Sequence, residues 1–175
     1  LCAGCGFPVF EQAAEGGGSV RGIRVRGGAD MTRKQTDSLV EYVKTYRAKG
    51  LAHLSVNPDG TCKSSFNKFL TAEFAAALVG ALSAQPGDIL FFVADKDAVT
   101  LQALGALRCE IARRRGMIDE TKYNLFWVTE FPLFEFSEEE GRYVAMHHPF
   151  TSWMPEDEKY LDGEMDRVRA RAYDL

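Results

Sequence analysis

The sequence lacks an apolar run long enough to cross a lipid bilayer. A membrane-spanning helix needs about 18 or more consecutive apolar residues, whereas Ile89–Ala94, with six, is as long as any uninterrupted run in this chain. Low-complexity segments and internal repeats are also absent. Hydrophobic residues make up 46% and charged residues 26% of the chain, as in globular proteins. These features exclude a helical membrane protein and a disordered chain, and they predict a folded globular protein.

Cysteines are too few and too scattered for a zinc centre. Cys2 and Cys5 have the C-x-x-C spacing, but Cys62 and Cys109 stand far from each other, so the second close pair typical of zinc sites is missing. A redox role would require the first pair to lie between a strand and a helix. We therefore predict no metal site and reduced thiols, which are typical of a cytoplasmic protein.

Charge is divided unevenly along the chain. Residues 1–116 contain 15 Lys and Arg against 11 Asp and Glu, whereas residues 117–175 contain 6 against 14. This asymmetry predicts two structural units with a boundary near residue 116. The mild positive charge of the first unit does not by itself indicate a nucleic-acid-binding domain.

Residues 1–116 carry strand and helix signals in turn. The apolar run Phe7–Phe10 and the alternating segment Ser19–Arg26 predict an opening β-hairpin. Thr32–Gln35, which reads TRKQ, is a capping box that predicts the start of an amphipathic helix ending at Gly50. Further patterns predict a strand over Leu51–Val56 and a helix over Ala72–Ala84 that is capped by Thr71. They also predict a second strand over Ile89–Ala94 and a helix over 96–115 that is capped by Asp95.

This order predicts an α+β fold of two layers, with helices on one face of a mostly antiparallel sheet. A parallel sheet of βαβ type is the alternative. After residue 119 the pattern predicts a strand over Leu125–Val128 and an acidic hairpin of Leu133–Phe136 with Arg142–Met146. It also predicts a helix start at Pro155 and a helical segment from 164 to 175.

Adjacent histidines follow the second strand of the acidic hairpin. In an extended chain the side chains of His147 and His148 point to opposite faces, so one can face a cavity while the other packs. An imidazole can donate a hydrogen bond to a carboxylate or a phosphate, which makes the pair a candidate anion-binding site. Two strand-end histidines without a ligand are the alternative. Neither Gly16–Gly18 nor Gly60–Ser64 has the form of a phosphate-binding loop.

Two strings in the second half of the chain carry a family signature. Residues 127–135 read WVTEFPLFE, and residues 145–151 read AMHHPFT. Together they resemble part of the class II catalytic core of the bacterial-type aspartyl-tRNA synthetases. Glu130 stands where that family often has Asp, and Trp153 stands where Pro is frequent. Upstream strings resemble the GAD domain inserted into that core, which an amidotransferase subunit shares: RVRGGA at 24–29, TRKQ at 32–35, KGL at 49–51, KFL at 68–70, GD at 87–88 and GALR at 105–108.

The resemblance implies a GAD-like insert domain over residues 1–116 and an incomplete antiparallel strip of the class II core over residues 117–175. It implies an aspartate–tRNA ligase, a cytoplasmic homodimer that uses ATP and Mg²⁺ to activate L-aspartate and then charges tRNA, without a membrane partner. By the same resemblance, His147 helps to bind L-aspartate and His148 is a second candidate. No catalytic residue and no metal ligand is expected in this stretch.

The resemblance further implies that two elements of the family lie outside these residues. They are the ATP-binding arginines of motifs 2 and 3 and the motif 1 helix of the dimer interface. Without phosphate clamps the transferring adenylyl group is not stabilised. We therefore expect the isolated chain to bind no cofactor and to show no ATP–pyrophosphate exchange above background. Because the strip over 117–175 would have exposed strand edges, we also expect faster hydrogen exchange in Leu133–Met146 than around Val43.

Two other readings stay open at the level of the sequence. The first is a stand-alone α+β binding or regulatory module, which the self-sufficient pattern of residues 1–116 favours. The second is an amidotransferase subunit that shares the insert. Such a subunit is not expected to share the strip after residue 117, so that strip discriminates between the readings.

Overall fold

The computed structural model describes residues 1–137, 139–146 and 148–172. The chain forms two compact units, Leu1–Ile118 and Asp119–Leu175. The helices of the first unit are α1 (Pro8–Glu15), α2 (Arg33–Lys44), α3 (Ala72–Ala81) and α4 (Asp97–Arg114). Its strands are β1 (Ser19–Val25), β2 (Ala52–Val56), β3 (Cys62–Ser64) and β4 (Ile89–Asp95). The described part of the chain holds no helix long and apolar enough to cross a bilayer.

The four strands form one antiparallel sheet in the order β1-β4-β2-β3. Strand β4 lies inside the sheet because it is apolar on both faces. Phe91, with Ile89 and Val93, packs in a cluster with residues of α2 and α4. Leu90 and Phe92 pack in a second cluster with residues of α1 and α3. The structure thus confirms the predicted α+β class and antiparallel sheet, with the correction that the helices cover both faces rather than one.

The opening segment is a helix, so the predicted strand over Phe7–Phe10 is wrong. Pro8 occupies the start of α1, where its missing N–H costs nothing, and Glu11 lies in the first turn, where the helix dipole favours a negative charge. Phe10 is fully buried, with ring centroids 4.7 Å from Phe7 and 5.8 Å from Phe92. The predicted opening hairpin is therefore also wrong, and β1 pairs with β4 instead.

Helix starts are specified locally. The Thr32 hydroxyl accepts a hydrogen bond from the Gln35 backbone N–H at 3.4 Å, and the Gln35 side chain accepts one from the Thr32 N–H at 2.8 Å, which confirms the capping box. Thr71 caps α3, as predicted, by accepting from the backbone N–H of Phe74. The residue that precedes α4 is Lys96, one position beyond the predicted cap.

The second unit contains the predicted acidic hairpin, formed by β5 (Phe134–Ser137) and β6 (Arg142–Ala145). Gly141 has the predicted left-handed conformation, with φ of 63°. Two 3₁₀ turns follow, at Pro155–Tyr160 and Met165–Arg167.

Two other predictions for the second unit are wrong. Leu125–Val128 forms no strand in the described structure. The predicted helix over 164–175 is replaced, up to residue 172, by one 3₁₀ turn and an extended stretch. The reason is a period of two: Val168 and Ala170 are both buried with Leu133, which a strand-like segment allows and a helix does not.

Candidate functional site

The histidine pair is only partly placed by the structure. His147, the predicted L-aspartate-binding residue, lies outside the described residues. His148 is exposed, and its Nδ1 accepts a hydrogen bond from the backbone N–H of Phe150 at 3.2 Å. A neutral imidazole that accepts at Nδ1 carries its proton on Nε2. The His148 ring therefore has a donor nitrogen left for an anionic ligand.

The segment that carries His148 is a tight turn. The backbone N–H of Thr151 donates to the carbonyl of His148 at 2.9 Å, which closes a four-residue β-turn. Pro149 occupies the second position of this turn, where its restricted φ suits the geometry. The Phe150 ring lies 5.1 Å from the His148 ring in an edge-to-face arrangement. The turn thus fixes the His148 ring from both the backbone and the side chain.

We call residues 148–151 the histidine turn. Met146, which precedes the histidines in the sequence, is held by its backbone N–H, which donates to the carbonyl of Leu133 at 3.0 Å. The histidine turn precedes a segment that pairs with residues 169–171: the N–H of Arg171 donates to Ser152 at 2.8 Å, and the N–H of Met154 donates to the carbonyl of Arg169 at 2.9 Å. Backbone hydrogen bonds therefore hold Met146 ahead of the turn, and Ser152 and Met154 after it.

The two anchoring segments are themselves joined. The N–H of Leu133 donates to the carbonyl of Val168 at 2.8 Å, and the N–H of Ala170 donates to the carbonyl of Phe131 at 2.6 Å. Residues 131–133 of the FPLFE string thus lie between the end of β6 and residues 168–170. Neighbouring backbone segments of this kind form an antiparallel arrangement that brings the two family strings together.

An ion pair lies beside this arrangement. The Asp157 carboxylate accepts from Nε of Arg169 at 2.7 Å, from Nη2 at 2.9 Å and from the Arg169 backbone N–H at 2.9 Å. Asp157 is 3% exposed. The hydrogen bonds from the Arg169 side chain lower the pKa of Asp157 to about 2, and those to Asp157 raise the pKa of Arg169. Both groups are charged at neutral pH.

Glu130 adds a second carboxylate to the same guanidinium. Its Oε1 accepts from Nη1 of Arg169 at 3.0 Å. Glu130 has a left-handed backbone, with φ of 59°, which is uncommon for a residue with a side chain. Sequence reasoning singled out Glu130 as a departure from the family pattern, but it found no role for Asp157 or Arg169. Their spacing of 12 residues carries no periodic signal.

The cysteine pair lies in the first unit and packs against the cluster on the α1 and α3 side of the sheet. Burial, and then the nearby Cys5, raise the pKa of Cys2. Because the thiolate is the reactive form, Cys2 stays protonated and unreactive at neutral pH. Among residues 1–137, 139–146 and 148–172, no group of three or more His, Cys, Asp or Glu side chains is arranged to hold a metal ion.

A cavity of about 570 Å³ also lies in the first unit, between α1 and the carboxyl end of β4. Lys49 and Asp95 are among its lining residues, with 4.0 Å between Lys49 Nζ and Asp95 Oδ1. Its size falls in the range of small-molecule sites. Three phenylalanines also contribute to its lining: Phe7, Phe10 and Phe92.

Comparison with known proteins gives matches over both units. The chain is 58% identical over 175 residues to the aspartate–tRNA(Asp/Asn) ligase of Lachnoclostridium phytofermentans, which covers all of this chain and 29% of that protein. It is 55% identical over 171 residues to the aspartate–tRNA ligase of Agathobacter rectalis, which covers 98% of this chain and 29% of that protein. It is 50% identical over 181 residues to the aspartate–tRNA(Asp/Asn) ligase of Symbiobacterium thermophilum, which covers 100% of this chain and 30% of that protein.

The chain thus spans less than a third of the length of these relatives. A model of the GAD domain matches residues 10–104, from the buried phenylalanine of α1 into α4. That match covers more than half of the chain and includes the whole four-stranded sheet. This chain therefore belongs to the GAD domain family.

Proposed function

We propose that this chain is a segment of an aspartate–tRNA ligase, a class II aminoacyl-tRNA synthetase. The observation that carries the proposal is the extent of the similarity. The GAD match ends at residue 104, but identity to proteins named aspartate–tRNA ligase continues to the end of the chain. An amidotransferase subunit that shares only the insert, or a stand-alone module, would not give similarity over the strip after residue 117.

The full-length protein joins the α-carboxylate of L-aspartate to the α-phosphate of ATP and releases pyrophosphate. It then transfers the aspartyl group from the adenylate to a hydroxyl of tRNA and releases AMP. Mg²⁺ accompanies ATP and offsets the charge of its phosphates. The enzyme acts in the cytoplasm as a homodimer. In this proposal residues 1–116 are the GAD-like insert and residues 117–175 are part of the catalytic core. The division of the structure after Ile118 supports that boundary.

In this reaction His147 binds the substrate L-aspartate, and His148 is the second candidate. An imidazole donor near a carboxylate forms a charge-assisted hydrogen bond, which is stronger than a neutral one. The histidine turn supports His148 as a binding group, because a group whose position is fixed before the ligand arrives loses less entropy on binding. Both named strings of the family meet in this arrangement through Leu133 and Met146.

The test is to extend the coding frame in both directions and to purify the complete protein. We expect it to aspartylate tRNA in the presence of ATP and Mg²⁺, and we expect the isolated 175-residue chain to show no ATP–pyrophosphate exchange. A complete protein that binds neither L-aspartate nor tRNA would refute the proposed function.

A further inference from the structure

We propose that Asp157 and Arg169 are a positioning pair that sets the location of the histidine turn, and thereby the affinity for L-aspartate. The inference rests on the proposed function, because the ligand is the amino acid of that reaction. The two residues touch no substrate in this proposal. They act through the backbone segments that hold the turn.

The Asp157 carboxylate binds both the side chain and the backbone of Arg169. Asp157 accepts two hydrogen bonds from the Arg169 guanidinium and a third from the Arg169 backbone N–H. A bidentate arginine–carboxylate pair fixes the orientation of both groups as well as their distance. With the backbone bond added, the side chain of Asp157 fixes the main chain of Arg169 too.

The segments around Asp157 and Arg169 are joined by backbone hydrogen bonds to the end of the histidine turn. The carbonyl of Arg169 accepts from the N–H of Met154, three residues before Asp157. Both backbone polar groups of Arg169 are therefore bound by the segment 154–157. Ser152, one residue after the histidine turn, is held in the same way by the N–H of Arg171. A slip of residues 168–171 would therefore move the end of the turn.

The segment around Arg169 is also joined by backbone hydrogen bonds to Met146, which precedes the histidines in the sequence. Residues 168–170 bond the FPLFE string through Leu133 and Phe131, and Leu133 accepts from Met146 just ahead of the histidines. Arg169 is thus connected by short hydrogen-bond paths to Met146, which precedes the histidines in the sequence, and to Ser152, which follows the histidine turn. Its third carboxylate contact, with Glu130 at 3.0 Å, ties it to the residue before that string.

The apolar cluster in this part of the structure is too small to fix, by itself, which residues of 168–171 pair with which residues of the neighbouring segments. The buried cluster around these segments has three fully buried members, Leu133, Val168 and Ala170. Contacts of aliphatic side chains have little directional preference, whereas the pair bonds at fixed angles. Asp157 is 3% exposed, and Nε and Nη2 of Arg169 donate to its two carboxylate oxygens, one to each.

The experiment uses the full-length ligase that contains this segment, with the variants Asp157→Asn and Arg169→Lys. Asparagine has the shape of aspartate but loses charge, and lysine keeps the charge but loses the bidentate fork. We expect the KM for L-aspartate in ATP–pyrophosphate exchange to rise about tenfold in each variant, since the histidine turn is then no longer fixed in its binding position before the ligand arrives. We expect the KM for ATP to change by less than about twofold, because in the proposed function the histidine turn binds the amino acid and not ATP. A general loss of folded enzyme would instead lower kcat and leave both KM values unchanged.

The matched control is Glu164→Gln. Glu164 forms an ion pair with Arg167 in the same unit, but both side chains are more than half exposed. Exposed pairs of this kind contribute little, so we expect this variant to keep both KM values. The wild-type enzyme is the control for the proposed function: if it shows no aspartate-dependent exchange, the function is refuted whatever the variants do.

With an active wild type, three outcomes overturn the positioning role. The first is an unchanged KM for L-aspartate in both variants. The second is an equal rise in the KM values for L-aspartate and ATP. The third is a fall in kcat alone, in proportion to the fraction of enzyme that active-site titration shows to be inactive. If Asp157→Asn does not fold, the Arg169→Lys variant decides by the same criteria.

Discussion

Oδ1 of Asp88 accepts a hydrogen bond from the backbone N–H of Gly27, 61 residues away, at 2.9 Å. Oδ2 of the same carboxylate accepts from the N–H of Gln85 at 2.9 Å, and Arg24 Nε lies 3.6 Å from it. Asp88 is 5% exposed. The residue therefore joins the end of β1 to the start of β4, the two strands with the longest shared register in the sheet.

Replacement of Asp88 by alanine removes the acceptor of these two partly buried hydrogen bonds. We expect Asp88→Ala to lower the free energy of unfolding of residues 1–118 by about 2 kcal/mol, since hydrogen bonds to charged groups contribute about 1.5–3 kcal/mol each and part is recovered by water. Urea unfolding of that unit measures the change. The exposed Asp59, in the turn between β2 and β3, is the control site. Equal unfolding free energies for the Asp88 and Asp59 variants would contradict this role.

The ion pair of the second unit predicts a pH dependence. Arg169 lowers the pKa of Asp157 to about 2 in the folded state, below the value of about 3.9 for an unperturbed aspartate. The unfolded chain therefore binds the proton first as pH falls, so the stabilisation is fully present above about pH 4–5 and is lost towards pH 2. Near-ultraviolet circular dichroism of residues 119–175 should lose its signal over this range.

The Asp157→Asn variant serves as the matched control for that titration. It should be less stable at pH 7 and should lose less stability between pH 5 and pH 2 than the wild type. Parallel titration curves for the two proteins would show that the pair makes no pH-dependent contribution.

The packing of α1 against the sheet depends on Phe10. We expect Phe10→Ala to lower the free energy of unfolding of the first unit by about 3–5 kcal/mol, because the substitution leaves a cavity among aromatic rings. Val9 is the neighbouring control on the same helix, since it is 50% exposed and its truncation should cost less than about 0.5 kcal/mol. Similar losses for Phe10→Ala and Val9→Ala would show that α1 does not dock as described.

Hydrogen exchange should differ between the two units. The first unit has two large buried clusters. The described part of the second unit has one small cluster, with Leu133, Val168 and Ala170 as its buried apolar residues, so its local opening should need less free energy. We expect the amides of Leu133–Met146 to exchange faster than those around Val43 in α2. Equal protection of the two regions would contradict this expectation.

Local signals made the first unit largely predictable from the sequence. The capping box at Thr32 and the cap at Thr71 act within three residues, and both helix starts were predicted correctly. The apolar run of β4 indicated a buried strand, which the structure confirms. Strand β3, with three residues, is too short to show a period.

The errors arise where tertiary packing decides between two local solutions. Phe7–Phe10 is an apolar run that suits a strand or a helix, and the aromatic pocket around Phe10 selects the helix. Residues 168–171 pair with segments 15 to 40 positions away, which no local pattern reveals. The same holds for Asp157 and Arg169. The histidines were found by their chemistry, and the role of His147 was suggested only by the family strings.

In the proposed function, the segment that contains His147 and His148 binds L-aspartate. The most direct test compares wild-type and His147→Ala full-length enzyme in aspartate-dependent ATP–pyrophosphate exchange, with the KM for each substrate measured separately. We expect the KM for L-aspartate to rise about tenfold or more, the effect of one lost hydrogen bond to a charged ligand, while the KM for ATP stays close to that of the wild type. An unchanged KM for L-aspartate in an active variant would contradict this binding role.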